Sequence, residues 1–336
     1  RVIETAKKQG QPFFLSINIS DPHKPFWSEV RGGGEDPYIP SRIYSPEEVP
    51  VPGFLFEDPE VRKELALYYS SVRRADDCLN EVLKALKKSG EWNNTMLIFL
   101  SDHGMPLPFA KTQLYHHSTR TPLMVRIPGV TGNGKVEKRH MVSVVDLLPT
   151  VMDALQVNQP PRLDGRSFYP VLKGEKQEKR NFVIKEYHEN AGRSRDPMRA
   201  IQSKKYLYLF NPWSNGERVF ATATNGTRTC KRMVDLARTD KQIAARLDIY
   251  RHRVPAELYQ VDQDPDCLVN LIDSPEHQKA LGQLQGNLKQ WMVRSKDPIL
   301  ECFRKREDAE FVEAYIQKLE AEADARRKSE RSKKKS

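Results

Sequence analysis

The sequence predicts an α/β fold with a doubly wound sheet, followed by a smaller carboxy-terminal α+β domain. Three observations point there. Residues 12–19 and 96–100 are short continuous apolar runs rich in β-formers, the pattern of strands buried on both faces. The residues between them contain a long stretch with helical periodicity, and strand, helix and strand in alternation imply a doubly wound sheet. Past about residue 175 the pattern changes to short strands and one amphipathic helix.

The first run, Pro12-Phe13-Phe14-Leu15-Ser16-Ile17-Asn18-Ile19, stops at Ser20-Asp21-Pro22-His23 and reads as a buried strand opening into a loop. Residues 25–59 are dense in Pro, Gly and acidic residues, including Gly32-Gly33-Gly34 and Pro50-Val51-Pro52-Gly53, and long irregular loops of this kind are often functional. Val61, Leu65, Tyr68 or Tyr69, Val72, Leu79, Val82 and Leu86 fit an amphipathic helix over 61–88, ended by Gly90. Cys78 is expected on its apolar face as a small core residue. Met96-Leu97-Ile98-Phe99-Leu100 reads as a central parallel strand that ends in Ser101-Asp102-His103-Gly104. Residues 122–127 form a third strand, and Ser143 caps a helix over 144–155. Both acid-histidine pairs sit at carboxyl ends of strands, where ligands collect in such sheets.

Beyond a boundary near 174–180, residues 182–187, 198–202 and 206–210 read as short strands, with Lys204-Lys205 turning the last two into a hairpin. A final amphipathic helix is expected over 275–293. The division is therefore 1–175, 176–303, and a charged helical or disordered basic tail over 304–336.

Composition narrows the function. Of the formal net charge of +10, residues 326–336 carry +6, which leaves +4 for the rest, so the body is nearly balanced and nucleic acid is not an expected partner. No stretch approaches the roughly 18–20 uninterrupted apolar residues of a membrane span. The chain starts at Arg1 with neither Met nor signal peptide, which predicts that residues precede it and leaves localisation unread. Cys78, Cys230, Cys267 and Cys302 are far apart and form no metal-type or CxxC spacing. The sequence leaves a homodimer open.

Taken alone, Asp102 after a buried strand is either a metal ligand or the cap of a turn, with His103 then merely exposed. Its context is more specific. Asp102-His103-Gly104 is followed by Lys111, Leu114-Tyr115, Arg120 and Pro122-Leu123-Met124-Val125, and preceded by Phe13-Phe14-Leu15 and Asp21-Pro22-His23. Further on come Val144-Val145-Asp146-Leu147-Leu148-Pro149-Thr150, Leu163-Asp164-Gly165-Arg166-Ser167, Glu257-Leu258-Tyr259, Asp264-Pro265 and Asn270-Leu271. This succession, over about 11–298, resembles the formylglycine-dependent (type I) sulfatases of the alkaline phosphatase superfamily. Asp21-Pro22-His23, the loop 106–111 and Asp196-Pro197-Met198-Arg199-Ala200 are most similar to the heparan N-sulfatase, or sulfamidase, branch.

The resemblance implies a mixed sheet of the alkaline phosphatase type and hydrolysis of sulfate from a sulfated saccharide, N-sulfoglucosamine or an O-sulfated sugar. It makes Asp102 a ligand of a divalent cation, usually Ca2+, with His103 beside it. The sulfamidase pattern has Asn after the Asp, and a histidine there leaves the metal's identity open. Lys111 takes the position of a cation against the sulfate, the alternative being an ordinary surface lysine. His23 becomes the sulfate-facing histidine that helps protonate the leaving group. Asp21 either holds the sugar or caps its loop, and His188, Glu189 and Arg199 are candidates for reaching the saccharide from the side. His116 and His117 flank the site in sequence with no direction fixed.

The family attacks with a formylglycine made from Cys or Ser in a C/S-x-P-S/A-x-x-R type motif. No such motif occurs in this chain, and none of its cysteines has a proline two residues later. The nucleophile and the family's amino-terminal metal-binding aspartates are therefore expected upstream of Arg1, and the chain by itself is expected to be inactive. An exported location, periplasmic, extracellular or lysosomal, follows from the same resemblance. Two alternatives stand beside this reading: a phosphodiesterase or phosphonate hydrolase of the same superfamily, and a non-catalytic saccharide-binding remnant.

Overall fold

Asp58 accepts the N–H of Glu60 and Pro59 occupies the first helical position, where its missing N–H costs nothing, so the helix Pro59–Lys88 begins slightly before the expected one. The computed structural model describes residues 2–29, 36–190 and 195–333. Gly32-Gly33-Gly34 lie outside the described residues. Arg1–Ser101 with Pro122–Thr131 form one compact unit, and Asp102–Thr121 with Gly132–Ser336 form a second.

In the first unit, α1 (Val2–Lys8) precedes the long irregular segment and α2 (Pro59–Lys88). Val61 and Leu65 are fully buried, as their spacing demands. Cys78 is exposed, contrary to expectation. At 3.6 residues per turn it lies about 100° off the stripe through Val61 and Leu79, so it clears the packed face. β1 (Leu97–Leu100) pairs with β2 (Leu123–Arg126), Leu97 opposite Arg126 and Leu100 opposite Leu123.

Two strand expectations are corrected here. Residues 12–19 form no strand, and Phe14 is 86% exposed. A strand exists only through its ladder, and no described segment pairs with this one. β1 runs antiparallel to its partner rather than within a parallel sheet. A parallel return needs a crossover packed on the same sheet, whereas the connecting residues 102–121 belong to the second unit.

The second unit opens with the segment that holds α3 (His116–Thr119). A 3-10 turn then leads into α4 (Leu147–Ala154), preceded by the expected Ser143 cap, which forms a reciprocal capping box with Asp146. α5 (Tyr169–Leu172) follows. β3 (Phe182–Glu189), β4 (Arg195–Ser203), β5 (Leu207–Phe210) and β6 (Ala256–Tyr259) make one antiparallel sheet in that order. α6 (Arg228–Leu236) and α7 (Lys241–His252), neither expected from the sequence, connect β5 to β6. α8 (Gln278–Ser295) covers one face of the sheet, and α9 (Leu300–Arg304) and α10 (Ala309–Lys333) close the chain.

Alternation gives this sheet two different faces. Ile201, Tyr208, Phe210 and Leu258 pack against Leu281, Leu284, Leu288 and Met292 of α8 to form the apolar core. The other face carries Lys185, Ala200, Leu209 and Glu257 in one cross-strand row, since each pairs with the next in register. The expected boundary near residue 175 is not where the units divide. Residues 102–121 hydrogen-bond to this polar face, so they leave the amino-terminal unit and join the sheet.

Of the two readings of the tail over 304–336, the helical one holds over Ala309–Lys333. Up to Arg326 it is a docked helix: Ile316 and Ala323 are buried, and Arg218 bonds both Glu313 and Glu320. A helix that looks uniformly charged in sequence is held here by a thin apolar seam and ion pairs.

Candidate functional site

Asp102 and His103 follow β1 directly. The Asp102 side chain is 82% exposed, one of its oxygens accepts the His103 N–H at 2.9 Å, and the other lies 3.5 Å from His103 Nε2. The His103 Nδ1 lies 2.8 Å from the Gly104 carbonyl oxygen. Gly104 is required by a close approach: a Cβ there would stand 1.9 Å from the carbonyl oxygen of His117. Its N–H donates to the Ser118 carbonyl at 2.9 Å, which draws the start and the end of the segment 102–121 together.

Between those ends lies the loop of Lys111. Residues 106–110 are buried, and Phe109 and Thr112 on either side of Lys111 adopt left-handed backbone with φ of 64° and 65°. Such conformations in non-glycine residues cost on the order of 1 kcal/mol or more each and persist where surroundings impose them. Here the surroundings are plain. Phe109 packs edge-on to Tyr250 at 5.3 Å beneath the guanidinium of Arg246 at 3.8 Å. Thr112 hydrogen-bonds Thr222, which bonds Thr224, which bonds the Tyr250 hydroxyl. Lys111 itself is half-buried, and its ammonium makes no ion pair among the described residues.

After Lys111 the chain is pinned to the polar face of the sheet. Tyr115 donates to Glu257 at 2.9 Å, and the same carboxylate accepts from Tyr259, Asn211 and Arg253. Arg253 also bonds Gln113 and lies over the Tyr115 ring at 4.2 Å. Lys185, buried, donates to the carbonyls of Leu114 at 3.2 Å and Tyr115 at 3.4 Å and to Gln202 at 2.5 Å. Burial pushes its ammonium down to about 7. Gln202 in turn meets His116 Nδ1 at 2.7 Å, and burial, followed by Lys185, pushes His116 down to about 4. His117 faces Asp266 at 3.0 Å. His116 and His117 are thus neutral, engaged groups at ordinary pH, a direction the sequence left open.

The remaining candidates divide. Asp21 and His23 belong to the first unit. Asp21 is gripped by Arg74 at 2.6 and 3.0 Å, and Arg74 also bonds Asp36. His23 is exposed, with Nδ1 2.6 Å from the Lys24 carbonyl oxygen.

On the second unit, Arg199 is corrected. It is fully buried, with Nε and one terminal nitrogen on Asp297 at 2.6 and 3.0 Å and the other nitrogen on the carbonyls of Tyr187 and Met198. It is a core ion pair and not a surface cation for a saccharide, because alternation along β4 turns it inward. Glu189 bonds Arg326 at 2.5 Å, which holds its carboxyl below the usual range. His188 stands exposed at the bulge of β3, 3.6 Å from Glu186.

The donor set at Asp102 can be weighed against a cation. Calcium takes roughly six to eight oxygens. The pair offers one exposed carboxylate and one imidazole, and the described residues contain no group of three His, Cys, Asp or Glu side chains able to hold a metal. They fit as part of a shell and do not make one, so no chemical step is derived through an ion here.

Sequence reading gave Glu257 only within the Glu257-Leu258-Tyr259 match and did not single out Arg253 or Lys185, the other residues that fix the Lys111 segment. A signal existed: Lys185 and Glu257 interrupt the β-runs Phe182-Val183-Ile184 and Ala256 to Tyr259, and a charge inside such a run needs a buried partner.

Residues 1–157 match the family model described as Sulfatase, and residues 102–217 match that described as N-sulphoglucosamine sulphohydrolase, C-terminal. The N-sulphoglucosamine sulphohydrolase of Homo sapiens is 28% identical over 321 residues, covering 87% of this chain and 62% of that protein. The N-acetylglucosamine-6-sulfatase of Bos taurus is 27% identical over 291 residues, covering 80% of this chain and 49% of that protein. The chain thus spans about half to three-fifths of the length of these relatives. A solved structure described as a 2-O GAG sulfatase superposes with a TM-score of 0.55 at 20% identity, covering 90% of this chain and 58% of that one. That likeness establishes the α/β fold of the sulfatases of the alkaline phosphatase type. Two matching models together run from residue 1 to residue 217, and over that stretch the chain is similar to the sulfatase family.

Proposed function

We propose that the protein containing this chain hydrolyses sulfate from a sulfated glucosamine, either the N-sulfate or an O-sulfate. Lys111 carries the reading: a half-buried lysine between two left-handed residues, without an ion-pair partner among the described residues. It lies inside the stretch that matches the N-sulphoglucosamine sulphohydrolase model. Under the proposal Lys111 binds sulfate oxygens and offsets the negative charge that develops as the S–N or S–O bond breaks. Asp102 and His103 contribute to the shell of a divalent cation, proposed to be calcium, which when bound neutralises sulfate charge. For His23, protonation of the leaving group is carried on resemblance alone. The formylglycine nucleophile has no candidate in these 336 residues and is assigned by the proposal to another part of the protein. An exported location is part of the same proposal; no described helix is long and apolar enough to cross a membrane.

The test is metal-dependent release of inorganic sulfate from N-sulfoglucosamine and from glucosamine 6-sulfate by the full protein. Chelation is expected to abolish release, calcium to restore it, and Asp102→Asn to raise the calcium concentration needed. Release unaffected by chelation and by Asp102→Asn would remove the metal from the account. Saccharide binding without any release would instead favour a non-catalytic remnant.

A further inference from the structure

The buried lysine on β3 is not accounted for by the roles given to Lys111, Asp102 or His103. Lys185 is buried, and burying an ammonium is costly unless its donors are used. Its three N–H groups meet three acceptors: the carbonyl oxygens of Leu114 and Tyr115 and the side-chain oxygen of Gln202. Two of these belong to the backbone just after Lys111, and the third belongs to the neighbouring strand. The nitrogen therefore stitches the Lys111 segment to the sheet at the backbone. Glu257, at the other end of the same cross-strand row, holds the Tyr115 hydroxyl. Tyr115 is thus fixed at its carbonyl by one edge of the sheet and at its ring by the other. A residue four positions from Lys111 that is held at both its backbone and its ring restricts the loop before it.

We propose that Lys185 is a positioning residue: it fixes the backbone of residues 114–116 and through it the place of the Lys111 ammonium. This rests on the proposed function only for the identity of the anion that Lys111 receives. Lys185 touches no substrate in this scheme and is not a catalytic residue.

The test is amide hydrogen exchange of the full protein and of Lys185→Met, with inorganic sulfate as the binding probe. The amides of 111–118 are expected to exchange on the order of tenfold faster in the variant, the loss of a charge-assisted hydrogen bond. Those of β5 and α8 should stay as they were. Sulfate affinity should fall by a similar factor, whereas Lys111→Met should abolish sulfate binding and leave the exchange pattern intact. Unchanged exchange at 111–118 in a folded Lys185→Met protein overturns the proposal.

If Lys185→Met does not fold, the unmodified protein in rising sub-denaturing urea decides. The amides of 111–118 should open together with those of β3, and opening of 111–118 alone at lower urea overturns the proposal. Failure of the unmodified protein to bind sulfate would contradict the functional reading, while the exchange result would still judge the positioning role.

Discussion

Lys185 and Glu257 occupy the two ends of one cross-strand row, and Tyr115 joins them, its carbonyl on Lys185 and its hydroxyl on Glu257. The two charges do not pair with each other: Glu257 is neutralised by Arg253 at 2.6 Å, with both side chains fully enclosed. Breaking one partner of a buried pair strands the other charge, a cost of about 3–5 kcal/mol. Glu257→Gln is therefore expected to lower unfolding free energy by about that amount in urea melts. A loss under about 1 kcal/mol would place it with exposed ion pairs and contradict the description of this face.

The close approach at Gly104 gives a second expectation. A Cβ 1.9 Å from the His117 carbonyl oxygen has to displace backbone, so Gly104→Ala should cost about 1–3 kcal/mol and disturb the segment 102–118. Gly282 on the exposed side of α8 has nothing within 4 Å of such a Cβ, and there Gly282→Ala should stabilise by about 0.5–1 kcal/mol. Thermal melts of the two variants should move in opposite directions; equal shifts would contradict the geometry.

Asp196 sets a pH dependence. It is buried on β4 with one carboxyl oxygen lacking a hydrogen-bond partner among the described residues, and burial, aided by Glu320, pushes it up to about 7. The folded protein then holds its proton more tightly than the unfolded chain. This stabilising contribution is complete below the unfolded value, declines as pH rises, and is lost once pH passes the folded value. Asp196→Asn, which cannot ionise, should accordingly gain stability over the parent on going from pH 4 to pH 8. Parallel stability curves across that range would mean that Asp196 titrates normally.

Much of the second unit was legible because period and capping residues act locally. Ser143 with Asp146, the strands around Ile184, Ile201 and Tyr208, and the helix of Leu281, Leu284, Leu288 and Met292 all appear where the pattern puts them. The failures have one cause, that pairing partners are not written in a segment's own composition. Residues 12–19 have the content of a strand but no ladder among the described residues, and β1 turns antiparallel. At the site, the motif residues Asp102, His103 and Lys111 were visible as types at a spacing. Arg199 was equally visible, and only the inward turn of β4 and the carboxylate of Asp297 remove it from the surface. Arg253 and Lys185 carry no motif, and their roles are made entirely by the packing of distant segments.

The most direct measurement is the rate of inorganic sulfate release from N-sulfoglucosamine and glucosamine 6-sulfate by the full protein and by its Lys111→Met variant. Loss of one preorganised charge at the reacting group is expected to lower kcat on the order of 100-fold or more, with the melting temperature unchanged. Equal turnover by the two proteins would contradict the assignment of Lys111 as the sulfate-binding cation, and with it the central claim.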